Sequence, residues 1–195
     1  MLLISKEKAK INNLKEMLRS EFAMKDLGPA SKILGIRIER DRSKSAIVLT
    51  HKSYLEKLVN RFSMQGFKPT KQPLTHQFNL STDQCPTTTS HIEYMEKVSY
   101  SSAVGSVMYS MVCTRLDLDH AISVLSILMS NPGKDHWSAM KWLLRYIAST
   151  TDMGLLYVKS GDKIEVEGYA DSDYAGDRDT RKSTSAYFFL VCGNY

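Results

Sequence analysis

The 195-residue sequence has few of the features that mark membrane proteins, disulfide frameworks or metal sites. Neither end carries an apolar run long enough to span a bilayer, and residues 1–4 are too short for a secretory signal. The three cysteines, Cys85, Cys113 and Cys192, are far apart and form no C-x-x-C pair, and the five histidines show no metal-ligand spacing. We therefore expect an intracellular protein, cytoplasmic or nuclear, with reduced thiols.

The net charge of +5 is unevenly distributed along the chain. Residues 1–75 contain 16 Lys/Arg and 7 Asp/Glu, whereas residues 76–195 contain 10 and 14. Positive charge concentrated in one half attracts phosphates, although the solvated faces of an ordinary soluble domain carry similar charge. The amino-terminal half is therefore the better candidate for contact with a polyanion.

Residues 1–62 predict a helix, a β-hairpin and a second helix. Ser5 is the expected cap of the first helix, alternating apolar residues from Leu34 predict the hairpin, and Thr50 is the expected cap of the second helix. Cations beside the apolar helix faces are candidates for contact with a nucleic-acid backbone: Lys8, Lys15 and Arg19 on the first helix, and Lys57 and Arg61 on the second. Basic stripes on solvated helix edges are equally common, so that alternative stays open.

A stretch rich in turn formers begins at Gln65 and reads as a linker to a helical block. Helices are predicted at residues 92–114, 117–129 and 135–150. Three cations in or beside the last helix are further backbone candidates: Lys134, Lys141 and Arg145. Trp142 and Tyr146 occupy another face of that helix, and we assign them to packing because aromatic residues at helical spacing usually pack.

Three strand-like runs close the sequence, at residues 154–159, 163–170 and 184–192, and a turn at 160–162 predicts an antiparallel meander. Asp171 emerges at the end of the second strand. A strand that ends in a carboxylate can present that oxygen to a metal ion and a phosphodiester. The last strand is expected to be an exposed edge, and the whole pattern is that of an α+β fold.

Three groups of residues resemble the Pol polyproteins of copia-type LTR retrotransposons. The first, LLISKEK at 2–8 with EFAMKDLGPASKILGIRIERD at 21–41, resembles the segment after the catalytic Tyr-Val-Asp-Asp turn of their reverse transcriptases, a turn that this sequence lacks. The second, residues 100–150, resembles the connection between polymerase and ribonuclease H. The third, GYADSDYAGDRDTRKSTSAYFF at 168–189, resembles the first two strands of the ribonuclease H domain.

The resemblance implies three segments. Residues 1–75 would be the end of the palm and a thumb-like unit of helix, hairpin and helix that contacts the template and primer backbone. Residues 76–150 would be a linker and helical connection, and residues 151–195 a truncated amino-terminal part of a ribonuclease H-like antiparallel sheet. The copia-type polyproteins usually have proline at the position of Leu116 and glycine at the position of Ala186.

The resemblance also implies a vestigial catalytic site. Asp171 matches the first metal-binding aspartate of ribonuclease H, Asp173 is a weaker candidate, and Asp177 and Asp179 are expected to be solvated turn residues. The intact family enzyme uses Mg²⁺, and hydrolysis of this type clamps two divalent ions between several carboxylates. Asp171 would bind a metal only if the missing ligands were supplied, so we expect neither tight Mg²⁺ binding nor catalysis by this chain alone.

Two functions stay open on the sequence. The first is a fragment of a Pol polyprotein, inactive alone, with non-specific affinity for an RNA–DNA hybrid or DNA; the alternative is a non-catalytic nucleic-acid- or protein-binding module derived from a transposon. Five phosphate contacts would give a slope of log affinity against log salt of about −4.5, whereas a flat dependence would indicate a protein partner. Self-association through an exposed edge strand is a third, weaker expectation.

Overall fold

The computed structural model describes residues 1–159, 161 and 164–194. Within these residues the helices are α1 (Lys8–Glu21), α2 (Lys52–Arg61), α3 (Thr89–Glu96), α4 (Tyr100–Thr114), α5 (Asp119–Ile127) and α6 (Lys134–Ser149), with single 3-10 turns at Thr82–Gln84 and Leu116–Leu118. The strands are β1 (Lys32–Ile33), β2 (Ile36–Asp41), β3 (Ala46–Thr50), β4 (Gly154–Val158), β5 (Val166–Ser172) and β6 (Ser185–Val191). Helices and antiparallel sheets are segregated along the chain, which confirms the α+β class. No helix in the described part of the chain is both long and apolar enough to cross a bilayer.

The predicted helix boundaries need three corrections. Glu7, not Ser5, precedes α1, and the Ser5 hydroxyl accepts the Glu7 N–H before the helix begins. Thr50 does not cap α2, because it is the last residue of β3, and His51 occupies the cap position. The predicted helix at 92–114 is two helices, because Ser99 leaves the helical conformation before Tyr100, whose hydroxyl donates to the Leu125 carbonyl in the interior at 2.8 Å.

The predicted meander of the last three strands is wrong. Strand β4 pairs with β3, from Thr50 opposite Gly154 to Ala46 opposite Val158, and completes a four-stranded sheet in the order β1-β2-β3-β4. A Cβ at Gly154 would lie 2.4 Å from the Leu49 carbonyl oxygen, so glycine permits this close start. Strands β5 and β6 form a separate two-stranded ribbon. Of the predicted turn at 160–162, Ser160 and Asp162 lie outside the described residues, as does the start of the predicted second strand, Lys163.

The buried core lies between α2, α4, α5 and α6. Its fully buried side chains include Leu55 from α2, Val107 from α4, Leu125 from α5 and Leu143 from α6. Residues from the first two predicted segments thus share one core, because the apolar face of α2 packs on α6. The division at residues 75 and 150 stays a prediction.

The stretch predicted as a linker begins at Gln65, and its part before α3, residues 65–88, is docked on α6. The indole N–H of Trp142 donates to the Gln72 carbonyl at 2.9 Å, and Nε of Arg145 donates to the Lys68 carbonyl at 2.8 Å. The ring of Phe78 meets that of Trp142 edge-on. These contacts confirm that Trp142 packs within the protein. The hydrogen bonds also give the backbone carbonyls of Gln72 and Lys68 donors from α6, as in an ordered segment.

A buried arginine, Arg115, joins the ends of α4 and α6. The side chain of Arg115 is 1% exposed, and its guanidinium donates two hydrogen bonds to the Asp117 carboxylate, at 2.9 and 2.8 Å. It also donates to the carbonyl and hydroxyl of Thr150 at 3.0 and 2.8 Å, and it lies over the Tyr146 ring. Burial alone would raise the pKa of Asp117, but the hydrogen bonds and charge of Arg115 outweigh it, so that pKa is lowered.

His51 anchors the turn between β1 and β2 to the helices. Its ring is fully buried, with Nε2 3.3 Å from the Leu34 carbonyl oxygen, which also accepts the Tyr109 hydroxyl at 2.7 Å. The ring stacks on Tyr54. Leu34 and Gly35 both have positive φ, and a Cβ at Gly35 would come within 3.0 Å of the histidine ring. Burial lowers the pKa of His51, so the neutral form fits the fold.

The buried side chain of His136 forms a hydrogen bond at the start of α6. Its Nδ1 accepts the Gly133 N–H at 2.7 Å, in the buried interior. A Cβ at Gly133 would lie 1.8 Å from the Gln84 carbonyl oxygen, which shows how closely the docked segment approaches the helix. Burial lowers the pKa of His136, against an opposing effect of the Ser81 backbone and nearby carboxylates.

Replacing Arg115 with alanine should lower the free energy of unfolding by about 2–3 kcal/mol, because the Thr150 carbonyl and the partly exposed Asp117 carboxylate lose their donor and a cavity replaces the buried side chain. Denaturant titration followed by circular dichroism measures the change. Arg37, whose ion pair with Glu39 is exposed, provides the control: Arg37→Gln should cost about 1 kcal/mol or less. Equal effects of the two substitutions would contradict the assignment.

Stability should fall as pH drops below about 6.5, the ordinary pKa of histidine. Both buried histidines have lowered pKa values in the folded state, so the unfolded chain binds more protons in that range. His136→Asn keeps an acceptor near Nδ1 without titrating, and it should flatten the dependence by up to about 1.4 kcal/mol per pH unit. Ser138→Asn, at an exposed position of the same helix, is the control for an added amide and should leave the dependence of stability on pH unchanged. An unchanged profile for His136→Asn would refute this account.

Candidate nucleic-acid interface

Two of the three candidate cations on α1 form ion pairs within the protein. Lys15 Nζ lies 3.0 Å and Arg19 Nη2 3.2 Å from the same oxygen of Asp26. The Gly28 N–H also donates to Asp26, and this hydrogen bond, followed by that from Lys15, lowers the pKa of the carboxyl group. Lys8 is exposed at the start of the helix. The stripe predicted on α1 is therefore largely neutralised by its own loop.

Helices α2 and α6 bring basic side chains from distant parts of the sequence toward one surface. The guanidinium of Arg61 lies over the Phe62 ring, with 5.6 Å between its carbon and the ring centroid. Phe62 meets Trp137 edge-on, with centroids 6.3 Å apart, and Nζ of Lys141 lies 6.0 Å from the Trp137 centroid. The two aromatic rings thus connect a cation on α2 to a cation on α6.

Two further candidates extend this surface. Lys57 lies one turn before Arg61 on α2, and residues four apart share a helix face. Arg145 lies one turn after Lys141 on α6, with its guanidinium over the Trp142 ring at 5.2 Å and its Nε bonded to the Lys68 carbonyl. We call these four residues, Lys57, Arg61, Lys141 and Arg145, the basic face.

Within the described residues, none of the four side chains of the basic face forms an ion pair with a carboxylate. The same holds for Lys134, whose ammonium lies 5.0 Å from the Tyr94 centroid, and for Lys8. A cation seated over an aromatic ring keeps its charge available while part of its rotamer freedom is already lost. The sequence predicted the cations but not that the rings of Phe62 and Trp137 hold Arg61 and Lys141, because only the packing of α2 on α6 brings these rings together.

The predicted catalytic residue Asp171 lies on the terminal ribbon, which we define as strands β5 and β6. Asp171 stands opposite Ala186 in the register, and one of its carboxylate oxygens accepts the N–H of Ser172 at 2.9 Å. Every described side chain of β5 is exposed. The ribbon therefore presents Asp171 to solvent, with the Ala186 methyl group as its cross-strand neighbour at the position where the family usually has glycine.

Asp173 lies beyond the end of β5 and serves the loop that follows. Its carboxylate accepts the Thr184 N–H at 2.7 Å, and its own N–H donates to the Thr184 carbonyl at 3.1 Å. A Cβ at Gly176 would lie 2.0 Å from the other carboxylate oxygen. The carboxylate is thus engaged in closing the loop, and a catalytic role for Asp173 stays a prediction.

The remaining acidic residues of the loop have structural partners. Asp177 accepts the N–H of Asp179 at 2.9 Å, as expected of a turn residue. Asp179 is not simply solvated, because its carboxylate accepts both the N–H and the hydroxyl of Thr82, at 2.9 and 3.0 Å. This bond ties the loop to the docked segment, a contact that its position in a charged turn did not reveal.

The residues present do not fit the Mg²⁺ site that the fold family implies. In the part of the chain that the structure describes, no three Asp, Glu, His or Cys side chains converge in a way that could hold a metal ion. Asp171 offers one carboxylate, and that of Asp173 already accepts a backbone hydrogen bond. Two-ion phosphodiester chemistry needs several carboxylates at one point.

The sequence of the chain matches known proteins of one family. A sequence profile for reverse transcriptase (RNA-dependent DNA polymerase) matches residues 1–76. The retrovirus-related Pol polyprotein from transposon TNT 1-94 of Nicotiana tabacum is 47% identical over 193 residues, covering 99% of this chain and 14% of that polyprotein. This chain therefore spans about one seventh of that relative's length.

Two smaller relatives also match. An uncharacterized mitochondrial protein of Arabidopsis thaliana is 33% identical over 193 residues, covering 98% of this chain and 76% of that protein. A protein of Plasmopara viticola named secreted RxLR effector protein 161 is 48% identical over 99 residues, 51% of this chain and 69% of the other. No solved structure matches. On the polyprotein match and the reverse transcriptase profile, the chain belongs to the Pol polyproteins of copia-type retrotransposons.

Proposed function

We propose that this chain is a part of a Pol polyprotein that binds the backbone of an RNA–DNA hybrid or of DNA without sequence preference and that lacks catalysis of its own. The basic face carries the proposal. Lys57, Arg61, Lys141 and Arg145 come from two helices of one packed core, and no carboxylate among the described residues neutralises them. Unpaired cations near one another attract phosphates whatever the base sequence.

The same proposal assigns parts of the family's enzyme to the segments of this chain. Residues 1–75 would supply the end of the palm and the thumb-like unit, residues 76–150 the linker and connection, and residues 151–195 the start of a ribonuclease H-like sheet. The match of residues 1–76 to reverse transcriptase supports the first assignment. We place the protein inside the cell, in the cytoplasm or nucleus, where a Pol polyprotein would meet its template.

The alternative is a non-catalytic module that binds a protein. One observation favours it: the outward face of α4 exposes apolar side chains, among them Val112, which is 72% exposed, and Met108 one turn earlier. Exposed apolar patches mark sites of protein contact. The dependence of binding on salt separates this alternative from the backbone-binding function.

Binding to a labelled RNA–DNA hybrid should weaken with salt at a slope of about −3.6, if the four cations of the basic face each neutralise one phosphate. Arg61→Gln should reduce the slope by about 0.9, because one counterion fewer is released. Arg19→Gln is the matched control, since Asp26 already neutralises that arginine, and it should leave the slope unchanged. Fluorescence anisotropy at several salt concentrations measures both. A flat dependence for the unmodified chain would favour the protein-binding alternative.

The purified chain should not hydrolyse the RNA strand of an RNA–DNA hybrid when Mg²⁺ is added. One carboxylate at Asp171 cannot position two ions, and it should bind Mg²⁺ only weakly. The unmodified chain and Asp171→Asn should give the same background in a gel assay of hybrid cleavage. Mg²⁺-stimulated cleavage that Asp171→Asn abolishes would refute the absence of catalysis, while leaving the binding measurement unaffected.

A further inference from the structure

The segment docked on α6, residues 65–88, exposes a phenylalanine ring close to the basic face. Phe67 is 56% exposed, whereas the phenylalanines before and after it in the sequence, Phe62 and Phe78, pack against the helical core. Within the described residues, the ring of Phe67 contacts no other aromatic ring. Both faces of an exposed ring without such contacts are accessible to a ligand.

Two contacts fix the backbone on either side of Phe67. Before it, Met64 is buried and its N–H donates to the Val59 carbonyl of α2 at 3.0 Å. After it, the Lys68 carbonyl accepts from Nε of Arg145 at 2.8 Å. The backbone at Phe67 therefore lies between the end of α2 and α6, the two helices that carry the basic face.

The chain around Phe67 is basic. Residues 57–82 contain no Asp or Glu but four Lys/Arg: Lys57, Arg61, Lys68 and Lys71. Lys68 and Lys71 are both exposed, and among the residues that the structure describes no carboxylate forms an ion pair with either. An exposed aromatic ring beside unpaired cations is complementary to a ligand that is itself both flat and negatively charged.

Arg145 is held in a position to bind phosphate near this ring. Its Nε is bonded to the Lys68 carbonyl, and its guanidinium lies over the Trp142 ring at 5.2 Å. The terminal nitrogens Nη1 and Nη2 donate to none of the described residues. Arginine binds phosphate through such a fork of N–H groups, so the two contacts orient Arg145 without using the atoms that a phosphate would need.

We propose that Phe67 stacks on an unpaired base of a single-stranded nucleic acid whose phosphates lie along the basic face. The inference rests on the proposed backbone-binding function and adds the class of ligand. In a duplex the faces of the bases are covered by their neighbours, so the Phe67 ring can reach a base face only where the strand is single. Proteins that bind single strands without sequence preference combine cations along the backbone with aromatic rings on which bases stack.

Fluorescence anisotropy with two labelled ligands, a single-stranded DNA and an RNA–DNA hybrid of the same length, tests the inference. Phe67→Leu keeps an apolar side chain but removes the flat ring, so it should weaken binding of the single strand about fivefold or more. It should change binding of the hybrid about twofold or less, because contacts to a duplex backbone do not involve the ring. The slope of log affinity against log salt should stay the same, since no cation is removed.

Phe22→Leu is the matched control. Phe22 is a 62% exposed phenylalanine that follows Glu21 at the end of α1, outside the basic face, so the substitution should alter neither affinity. Phe67→Trp retains a flat ring and should keep the affinity of the unmodified chain for the single strand. Circular dichroism shows whether each variant is folded, since neither phenylalanine belongs to the helical core.

Salt-dependent binding of the single strand that Phe67→Leu leaves unchanged would overturn the stacking site while the backbone-binding function stands. An equal loss of affinity for the hybrid would also overturn it, because the ring would then not distinguish unpaired from paired bases. A flat salt dependence of the unmodified chain would overturn the backbone-binding function itself, and this inference with it, in favour of a protein partner.

Discussion

The guanidinium of Arg115 is a full charge in the interior of a small protein, and the surrounding architecture follows from the need to satisfy it. Its hydrogen bonds reach the Asp117 carboxylate and both oxygens of Thr150, so that the ends of α4 and α6 meet at one point. The aromatic ring and hydroxyl of Tyr146 complete the site. Desolvating a charge is costly, and this network offsets the cost only in one geometry. That geometry holds the end of α6 beside the end of α4, four residues before β4 begins at Gly154.

The position of α6 determines which cations are available to a polyanion. Packing of α2 on α6 gathers Arg61, Lys141 and Arg145 around aromatic rings, whereas the loop after α1 returns Asp26 to Lys15 and Arg19. Net charge does not separate these helices, because α1, α2 and α6 each carry a formal charge of +2. Local neutralisation does, since a cation already paired with a carboxylate releases few counterions when it meets a phosphate.

The terminal ribbon, in contrast to the helical core, is held together by pairing between its own two strands and buries few side chains. Its strands pair with each other along their whole length, yet most of its side chains stay in water. Asp171 lies on one face of this ribbon, without converging ligands in the described residues. The ribbon thus carries Asp171, the predicted match to a metal-binding residue, on one side and exposed apolar side chains on the other.

The sequence by itself determined the elements: the amphipathic faces of α2 and α6, the hairpin from β2 to β3, the strand that carries Asp171, and the resemblance to the copia-type family through residues 2–8, 21–41, 100–150 and 168–189. Local periodicity and turn chemistry suffice for these features because they depend on near neighbours. Only the tertiary structure decided the partner of β4, the docking of residues 65–88 on α6, and the pairing of Asp179 with Thr82. Each of these joins residues far apart in the chain, and a strand or carboxylate carries no local signal that tells which distant donor or edge it will meet.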